Sequence, residues 1–304
     1  MGRIVIAGGT GFVGKKLIHK LSEQQHEIVV LTRHNSNADT LTKNCTLVQW
    51  GSEMNEWKQC IDGADAVINL AGASVAQRWT PSHKAQIFDS RIVYTNALVE
   101  AIIAAKQPPR FFFSASAVGY YGDCQDTVLT ENSPNGPKDD FLAYVCDEWE
   151  RAAMKAHEHT RVVVGRIGIV LDSREGALSK LLFPFRLGIG GPLGTGKQWW
   201  SWVHPDDVVG MIVWAMSENS INGTMNIVAP NPVTMKKFAK ELGNRLSRPS
   251  FFPVPTYVLS LIMGESVVIA THSQNVIPAK AIRLGYKFKF SHLAECLSDI
   301  LGAK

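Results

Sequence analysis

The sequence predicts an α/β fold in which helices cover both faces of a mainly parallel, doubly wound sheet. Seven short runs of apolar and β-branched residues alternate with longer segments of helical periodicity. Most of these runs are apolar at consecutive positions, which is typical of strands buried on both faces. The predicted strands are Ile4–Ala7, Ile28–Leu31, Leu47–Trp50, Ala66–Leu70, Phe111–Ser114, Val162–Gly165 and Met225–Val228.

The segments between the strands carry apolar stripes at helical spacing. In the first of them, Val13, Leu17 and Leu21 recur every four residues and define one buried helix face. The segment Lys84–Ala105 has a comparable stripe that includes Ile87, Tyr94, Leu98, Ala101 and Ile102. Further helices are predicted at Asp140–His157, Val208–Met216, Met235–Leu246 and His292–Leu301. This strand–helix alternation predicts βαβ units and a parallel sheet.

The pattern changes after Leu171, where Gly, Pro and Trp become frequent. We therefore expect a main domain of residues 1–171, to which 205–230 and 291–304 return. Residues 172–204 and 231–290 are predicted to form a small substrate-side lobe at the carboxyl edge of the sheet.

Charge and cysteine usage exclude several classes of partner. The net charge is +4, and basic residues occur in no block longer than a pair, so we expect neither a nucleic acid nor a membrane partner. Five scattered cysteines without a CxxC pair indicate neither a metal site nor a disulfide framework. A strand pattern already at residue 3 leaves no room for a signal peptide, and the apolar stretch Tyr257–His272 is too short to span a bilayer. The expected compartment is the cytoplasm.

A glycine motif follows the first strand and opens the first helix. Gly8, Gly11 and Gly14 form a Gly-x-x-Gly-x-x-Gly pattern, completed by Thr10, Phe12 and Val13. Glycine permits a positive φ in the tight turn and lets a pyrophosphate approach backbone N–H groups at the helix N-terminus. The strand–turn–helix context predicts a Rossmann dinucleotide-binding site. A glycine-rich turn that binds nothing is the alternative.

The end of the second strand indicates which dinucleotide binds. Rossmann sites that prefer NAD place an acid here to hold the ribose 2′-hydroxyl, but no acid occurs between Glu27 and Asp39. Arg33 stands in that region after Thr32, and a guanidinium matches the 2′-phosphate of NADP. The predicted cofactor is NADP, unless Arg33 is simply a solvated loop residue.

The fourth strand ends in Leu70, Ala71 and Gly72. Small residues at the carboxyl end of a strand allow a cofactor to lie across the edge of the sheet. For Gly72 alone, close packing is an equally simple explanation.

Together these residues resemble the extended and atypical short-chain dehydrogenase/reductases, the NAD-dependent epimerase/dehydratase family. Later segments are similar to the YfcH-type epimerase-family proteins, which carry a C-terminal domain of unknown function corresponding to residues 248–295. The segments that carry this similarity include Phe141-Leu142-Ala143, Trp149-Glu150, Arg166-x-Gly168-x-Val170-Leu171, Pro184–Gly188 and Gln198-x-x-Ser201-Trp202-Val203-His204.

The resemblance also implies which residues contact NADP(H). The implied contacts are Thr32 and Arg33 at the adenosine phosphate, Leu70 and Ala71 at the adenine ribose, Arg91 and Gln86 on the long helix, and Val170 near the nicotinamide.

The catalytic residues of this superfamily are only partly matched. Its members commonly use a Ser and a Tyr-x-x-x-Lys pair, in which the Lys lowers the pKa of the Tyr that exchanges the proton. Ser116 matches the Ser and Tyr144 the Tyr, but Glu148 stands where the Lys is expected. Either other groups near the nicotinamide act, with Tyr121 one candidate, or the cofactor binds without turnover.

The segment Gly188–His204 is the predicted substrate wall. It places Trp200 and Trp202 among flexible glycines, with Gln198 and His204 as polar groups that could orient a ligand. A packed contact between the lobes explains the tryptophans equally well. After His204, the pair Asp206-Asp207 is expected to cap the next helix.

These observations predict an NADP(H)-dependent oxidoreductase or epimerase that acts on a small polar metabolite or a nucleotide sugar, and the chain could form a homodimer. The alternative is an NADPH-binding sensor without turnover, which Glu148 would favour.

Overall fold

The computed structural model describes residues 2–33, 44–50 and 56–302. Its strands are β1 Arg3–Ala7, β2 Glu27–Thr32, β3 Cys45–Gln49, β4 Ala66–Asn69, β5 Phe111–Ala117, β6 Val128–Leu129, β7 Arg161–Ile167, β8 Ile169–Val170, β9 Trp199–Trp200, β10 Trp202–Val203, β11 Gly223–Ile227, β12 Val233–Thr234 and β13 Asn275–Val276. Its helices are α1 Phe12–Glu23, α2 Glu56–Gln59, α3 Pro81–Ala104, α4 Phe141–Met154, α5 Gly176–Arg186, α6 Pro205–Ser217, α7 Met235–Leu246, α8 Thr256–Met263, α9 Val268–Thr271, α10 Ala279–Arg283 and α11 Leu293–Leu301.

Among the described residues, seven strands form one sheet in the order β11-β7-β5-β4-β1-β2-β3, and every neighbouring pair is parallel. All seven strands predicted from the sequence belong to this sheet, so the predicted Rossmann-like α/β fold is confirmed. In the sheet, β2 and β3 lie on one side of β1, whereas β4 and the later strands lie on its other side. By the general rule for open α/β sheets, we expect the ligand cleft at the carboxyl ends of β1 and β4.

Consecutive apolar residues occur in the strands because both faces of the sheet are covered. On one face, Ile4 and Ile6 pack in a core that includes Leu17 of α1. On the other face, Val5 and Ala7 share a core with Leu98 of α3. Since successive side chains of a strand point to opposite faces, the inner strands of the sheet contribute to both cores, whereas the edge strand β11 contributes Met225 and Ile227 to the first.

The helix boundaries follow the capping residues. α3 begins at Pro81, earlier than the predicted Lys84, because the Thr80 side chain accepts a hydrogen bond from the backbone N–H of His83 and Pro fits the first helical position. α4 begins after Asp140, whose carboxylate accepts from the N–H groups of Leu142 and Ala143.

The expected cap of α6 needs correction. His204 is the N-cap of this helix, and its side chain accepts a hydrogen bond from the Asp206 N–H. Asp207 instead turns toward the C-terminal part of the chain. Its carboxylate accepts hydrogen bonds from the backbone N–H groups of Lys289 at 2.8 Å and Phe290 at 2.9 Å.

The later segments are tied to the sheet by further backbone contacts. The carboxylate of Glu131 accepts hydrogen bonds from the N–H groups of Asn226, in β11, and Lys280, in α10. Short two-stranded pairs join β6 to β13, β8 to β10 and β9 to β12. No helix in the described ranges combines the length and the apolar character that a membrane crossing requires.

Candidate functional site

The glycine turn at the carboxyl end of β1 is closed tightly against its neighbours. Gly8 has a φ of +78°, and a Cβ there would lie 2.6 Å from the carbonyl carbon of Leu70. A Cβ on Gly14 would lie 2.6 Å from the Cα of Gly9. Both positions therefore require glycine, the first for its conformation and both for lack of space.

The turn delivers the N-terminus of α1 to the edge of the sheet. Gly11 is the N-cap, and no described side chain accepts a hydrogen bond at this cap. The first turn of the helix contains no acidic residue. N–H groups at the positive end of a helix dipole, next to a glycine turn, form a favourable site for a diphosphate.

Two residues at the end of β2 lie next to this turn, because β1 and β2 are parallel neighbours. Thr32 is the last residue of β2 and is largely buried, whereas the Arg33 side chain is exposed. This guanidinium is available to a phosphate that emerges from the cleft. The part of the acid-free interval that follows Arg33, residues 34–38, lies outside the described residues.

The end of β4 forms the other wall of the cleft. The buried Asn69 side chain donates a hydrogen bond to the Thr95 hydroxyl at 2.8 Å and accepts one from the Ala71 N–H at 3.1 Å. These bonds fix the backbone of Leu70 and Ala71, which faces the Gly8 turn. The sequence analysis assigned no role to Asn69, although a polar residue at the end of a buried strand was a signal for one.

Arg91 supports the same wall from α3. Its guanidinium donates hydrogen bonds to the carbonyl oxygens of Ala73 and Ile87, both at 3.1 Å. It also lies against Gly72, where a Cβ would be 3.1 Å from the Cζ of Arg91. Burial lowers the pKa of Arg91. Gln86 is exposed on the same helix, with its amide oxygen 3.2 Å from Nδ1 of His83.

Ser116, at the carboxyl end of β5, is bound to a buried ion pair. Its hydroxyl donates a 2.7 Å hydrogen bond to Oε1 of Glu150. Two nitrogens of Arg166 bind the same carboxylate, Nε to Oε1 at 2.9 Å and Nη2 to Oε2 at 2.8 Å. Because its proton is committed to Glu150, the Ser116 hydroxyl, which is 3% exposed, has only lone pairs left for a further hydrogen bond.

Tyr121 belongs to the same buried network. Its hydroxyl donates to the side-chain oxygen of Asn226 at 2.7 Å and accepts from Nη1 of Arg166 at 3.0 Å. The side chain is 1% exposed, and burial raises the pKa of Tyr121 to about 12. The geometry argues against the predicted catalytic role of Tyr121, since its proton is enclosed and held firmly near neutral pH.

Tyr144 lies in the first turns of α4 and remains accessible. It is 43% exposed, and its ring stacks on Phe88 with centroids 5.9 Å apart. Glu148, one turn later, is 3.7 Å from a nitrogen of Arg151, which also binds Asp147 at 2.8 Å. The negative charge that replaces the expected Lys is thus partly neutralised by Arg151.

The predicted substrate residues lie in the core. Trp200 packs on Phe238 with ring centroids 5.1 Å apart, and Trp202 is fully buried with its indole N–H bound to the carbonyl of Asn231. The buried Gln198 amide donates to two backbone carbonyls at 2.9 Å. The structure therefore favours the packing alternative for these residues.

His204 is also enclosed. Its Nε2 lies 3.2 Å from Asp299, and its ring lies on Phe290 with centroids 3.9 Å apart. Burial lowers the pKa of His204, which remains a neutral cap of α6. Val170, by contrast, is half-buried in β8, where it pairs in register with Val203.

Glu150 and Arg166 are the main residues of this region to which the sequence analysis assigned no chemistry. Arg166 also covers the ring of Tyr120, with its guanidinium carbon 3.4 Å from the ring centroid. A charged residue inside the apolar run of β7 was the available signal, because a buried Arg requires an anionic partner. No local pattern distinguishes that partner, Glu150, from the other acids of α4.

Comparison with known proteins identifies the class. Residues 4–228 match the NAD dependent epimerase/dehydratase family, and residues 254–300 match a domain of unknown function, DUF1731. The chain belongs to the NAD dependent epimerase/dehydratase family. The second match confirms the expected C-terminal domain, a few residues further along the chain than predicted.

Three relatives illustrate the similarity. The epimerase family protein SDR39U1 homolog of Arabidopsis thaliana, a chloroplastic protein, is 41% identical over 98% of this chain and 86% of its own. A crystal structure of the human epimerase family protein SDR39U1 with NADPH has a TM-score of 0.88 at 32% identity, covering 98% of both chains. A nucleoside-diphosphate sugar epimerase from Corynebacterium glutamicum has a TM-score of 0.78 at 31% identity, covering 99% of this chain and 58% of its own.

Proposed function

We propose that this chain binds NADPH and is an oxidoreductase or epimerase acting on a small polar metabolite or a nucleotide sugar. The observation that carries the proposal is the glycine turn beneath the N-terminus of α1, with Arg33 exposed at the end of β2. The human relative that was crystallised with NADPH supports the choice of cofactor. The Corynebacterium glutamicum relative, named as a nucleoside-diphosphate sugar epimerase, supports the substrate class.

The residues present fit this cofactor. The backbone of Gly8–Gly14 would hold the diphosphate, with Thr10, Phe12 and Val13 beside it, and Thr32 and Arg33 would hold the 2′-phosphate. Leu70–Gly72 would line the adenine ribose, with Arg91 and Gln86 on the α3 side and Val170 near the nicotinamide. When bound, the nicotinamide supplies or accepts a hydride at a carbon that bears oxygen.

Side chains of the protein must then donate or accept the proton and orient the substrate. Tyr144 has the exposure that proton exchange with a substrate oxygen requires, and we assign it the acid/base role. Ser116 accepts a hydrogen bond from the ligand, because its own proton is held by Glu150. We propose the cytoplasm as the compartment, since all five cysteines are free thiols.

A measurement of catalytic turnover distinguishes this proposal from the alternative, a protein that binds NADPH without catalysing a reaction. The protein is titrated with NADPH, and nicotinamide absorbance is then followed across carbonyl compounds and nucleotide sugars. We expect oxidation that Tyr144→Phe lowers by about a hundredfold, the usual effect of losing a general acid. The matched control is Tyr257→Phe, at an exposed tyrosine of α8. Because an epimerase returns the hydride to its substrate and leaves nicotinamide absorbance unchanged, the protein loaded with NADP+ is also assayed for inversion of nucleotide sugars. Tight cofactor binding with neither NADPH oxidation nor inversion of any compound would overturn the enzymatic assignment and leave a binding protein.

A further inference from the structure

One region of the surface carries an unusual density of large apolar side chains. We call it the apolar surface. It consists of eight residues that are 47–73% exposed: Phe183, Leu187, Ile189, Phe251, Phe252, Tyr257, Leu261 and Ile262. An aromatic side chain alone brings roughly 150–250 Å² of surface, so the eight together exceed the few hundred Å² of the apolar patch on a typical monomeric protein. Such a surface normally marks a site of interaction.

The eight residues lie on two segments that run side by side. The Val254 N–H donates to the carbonyl of Pro192 at 2.9 Å, and the Gly194 N–H donates to the carbonyl of Val254 at 2.8 Å. Arg248 also binds the carbonyl of Arg186 at 3.1 Å. The end of α5 and the loop before α8 therefore form one continuous region, although they are about 60 residues apart in sequence.

Helix α8 contributes its outward face. Tyr257 and Leu261 are one turn apart and exposed, as is Ile262, whereas Leu259 is buried and anchors the helix. Residues at i and i+4 share one face of a helix. The helix contains no charged residue, so its outer face offers only apolar and hydroxyl groups to whatever covers it.

Within the two segments that carry the apolar surface the charge is of one sign, with Glu175 and Glu265 just outside their bounds. The segments 176–197 and 244–264 contain no Asp or Glu. Their charged residues are Lys180, Arg186, Lys197, Arg245 and Arg248. A twofold contact between two copies would bring these like charges together, which disfavours a homodimer at this surface. Positive charge beside exposed apolar side chains complements an anionic lipid surface.

We propose that the apolar surface docks on a lipid bilayer containing anionic lipids. The aromatic and aliphatic side chains would enter the interface between headgroups and acyl chains, while Arg186 and Arg248 contact the headgroups. The sequence predicted no membrane partner because its basic residues form no block. The basic and apolar residues are assembled only by the pairing of the two segments in the fold. The proposal is independent of the reaction at the nucleotide site.

Vesicle flotation tests the proposal with the full chain. The vesicles consist of phosphatidylcholine alone or of phosphatidylcholine with phosphatidylglycerol, each at low and high salt. We expect binding to the anionic vesicles that weakens as salt rises. The double variants Phe251→Ser/Phe252→Ser and Tyr257→Ser/Leu261→Ser should each weaken binding at least about tenfold, because apolar burial drives insertion. Arg186→Gln/Arg248→Gln should remove the preference for anionic lipid.

Two controls make the result decisive. Val93→Ser and Ile282→Ser remove exposed apolar side chains elsewhere on the surface and should leave flotation unchanged. NADPH binding by each variant confirms that the nucleotide domain is folded. Absence of flotation by the native chain on both vesicle types overturns the proposal, as does equal flotation of native and variant chains. A protein-only contact is indicated instead if native chains associate reversibly in solution and the same variants abolish that association without any lipid binding.

Discussion

The hydroxyl of Ser116 donates a 2.7 Å hydrogen bond to Oε1 of Glu150, and the same oxygen accepts a 2.9 Å hydrogen bond from Arg166. This relationship connects the residue nearest the expected chemistry to a buried ion pair between α4 and β7. The position of Ser116 is therefore set by the core of the protein.

The first prediction concerns the ion pair. Glu150→Gln leaves the Arg166 guanidinium buried without its countercharge and should lower the free energy of unfolding by about 3–5 kcal/mol. Ser116→Ala removes one hydrogen bond while the pair persists, and should cost about 1 kcal/mol. Urea unfolding measures both changes. Glu148→Gln on the same helix is the control and should cost within about 0.5 kcal/mol. Equal losses for Glu148→Gln and Glu150→Gln would contradict the structure.

A second prediction tests the glycine turn, Gly8–Gly14, as the binding site of the diphosphate. Gly8→Ala places a Cβ against the Leu70 backbone at a φ of +78° and should abolish measurable NADPH binding. Gly285→Ala is the matched control, because Gly285 has a φ of +81° but nothing lies within 4 Å of its Cβ position. The control should lose about 1 kcal/mol of stability and no affinity. Calorimetric titration with NADPH compares the two variants. Comparable affinity in both would show that the glycine turn does not bind the diphosphate.

A third prediction tests the choice of cofactor. Arg33→Ala removes the guanidinium proposed for the 2′-phosphate and should weaken NADPH binding by about 1.5–3 kcal/mol, the strength of a charged hydrogen bond. Affinity for NADH, which lacks that phosphate, should change little. Fluorescence titration with both cofactors gives the comparison. Arg33→Lys should restore part of the NADPH affinity, and parallel losses for the two cofactors would argue against a phosphate contact.

A fourth prediction concerns alkaline pH. The pKa of Tyr121 is raised from 10.0 to about 12 by burial, so the unfolded chain loses this proton first. Its contribution to stability is complete below pH 10 and is lost as pH rises toward 12, by about 2–3 kcal/mol in total. The measurement is the free energy of unfolding from pH 8 to about 12 for the native chain and Tyr121→Phe. The variant should show the smaller decline, and identical slopes would mean that Tyr121 is not enclosed.

The sheet could be predicted from sequence because its signal is local. Each run such as Ile4–Ala7 is apolar at consecutive positions, and covering both faces of a strand requires this. The glycine turn was predictable for a similar reason, since Gly8, Gly11 and Gly14 lie within seven consecutive residues. Local patterns of this kind need no knowledge of distant contacts.

The residues around Ser116 could not be predicted in the same way. Glu150 and Arg166 lie on different elements, and only the packing of α4 on β5 and β7 brings them together. The tryptophans showed the opposite error. Trp200 and Trp202 stand among glycines in sequence, which suggested a ligand wall, but the fold buries them against α7 and the segment after β11. Whether a side chain is buried by elements distant in sequence cannot be predicted from the few residues around it.

Two carboxylates that reach across the chain, the buried Asp207 and the half-buried Glu131, bear on how this protein can be divided. Asp207 and Glu131 each bind backbone N–H groups of the segment 280–290. That segment lies within the second family match, whereas both acids lie within the first. A chain ending at residue 253 would leave these acceptors unsatisfied, so the two modules recognised in sequence should melt in one transition. We therefore expect gene fusion or truncation at that boundary not to yield independently folded parts.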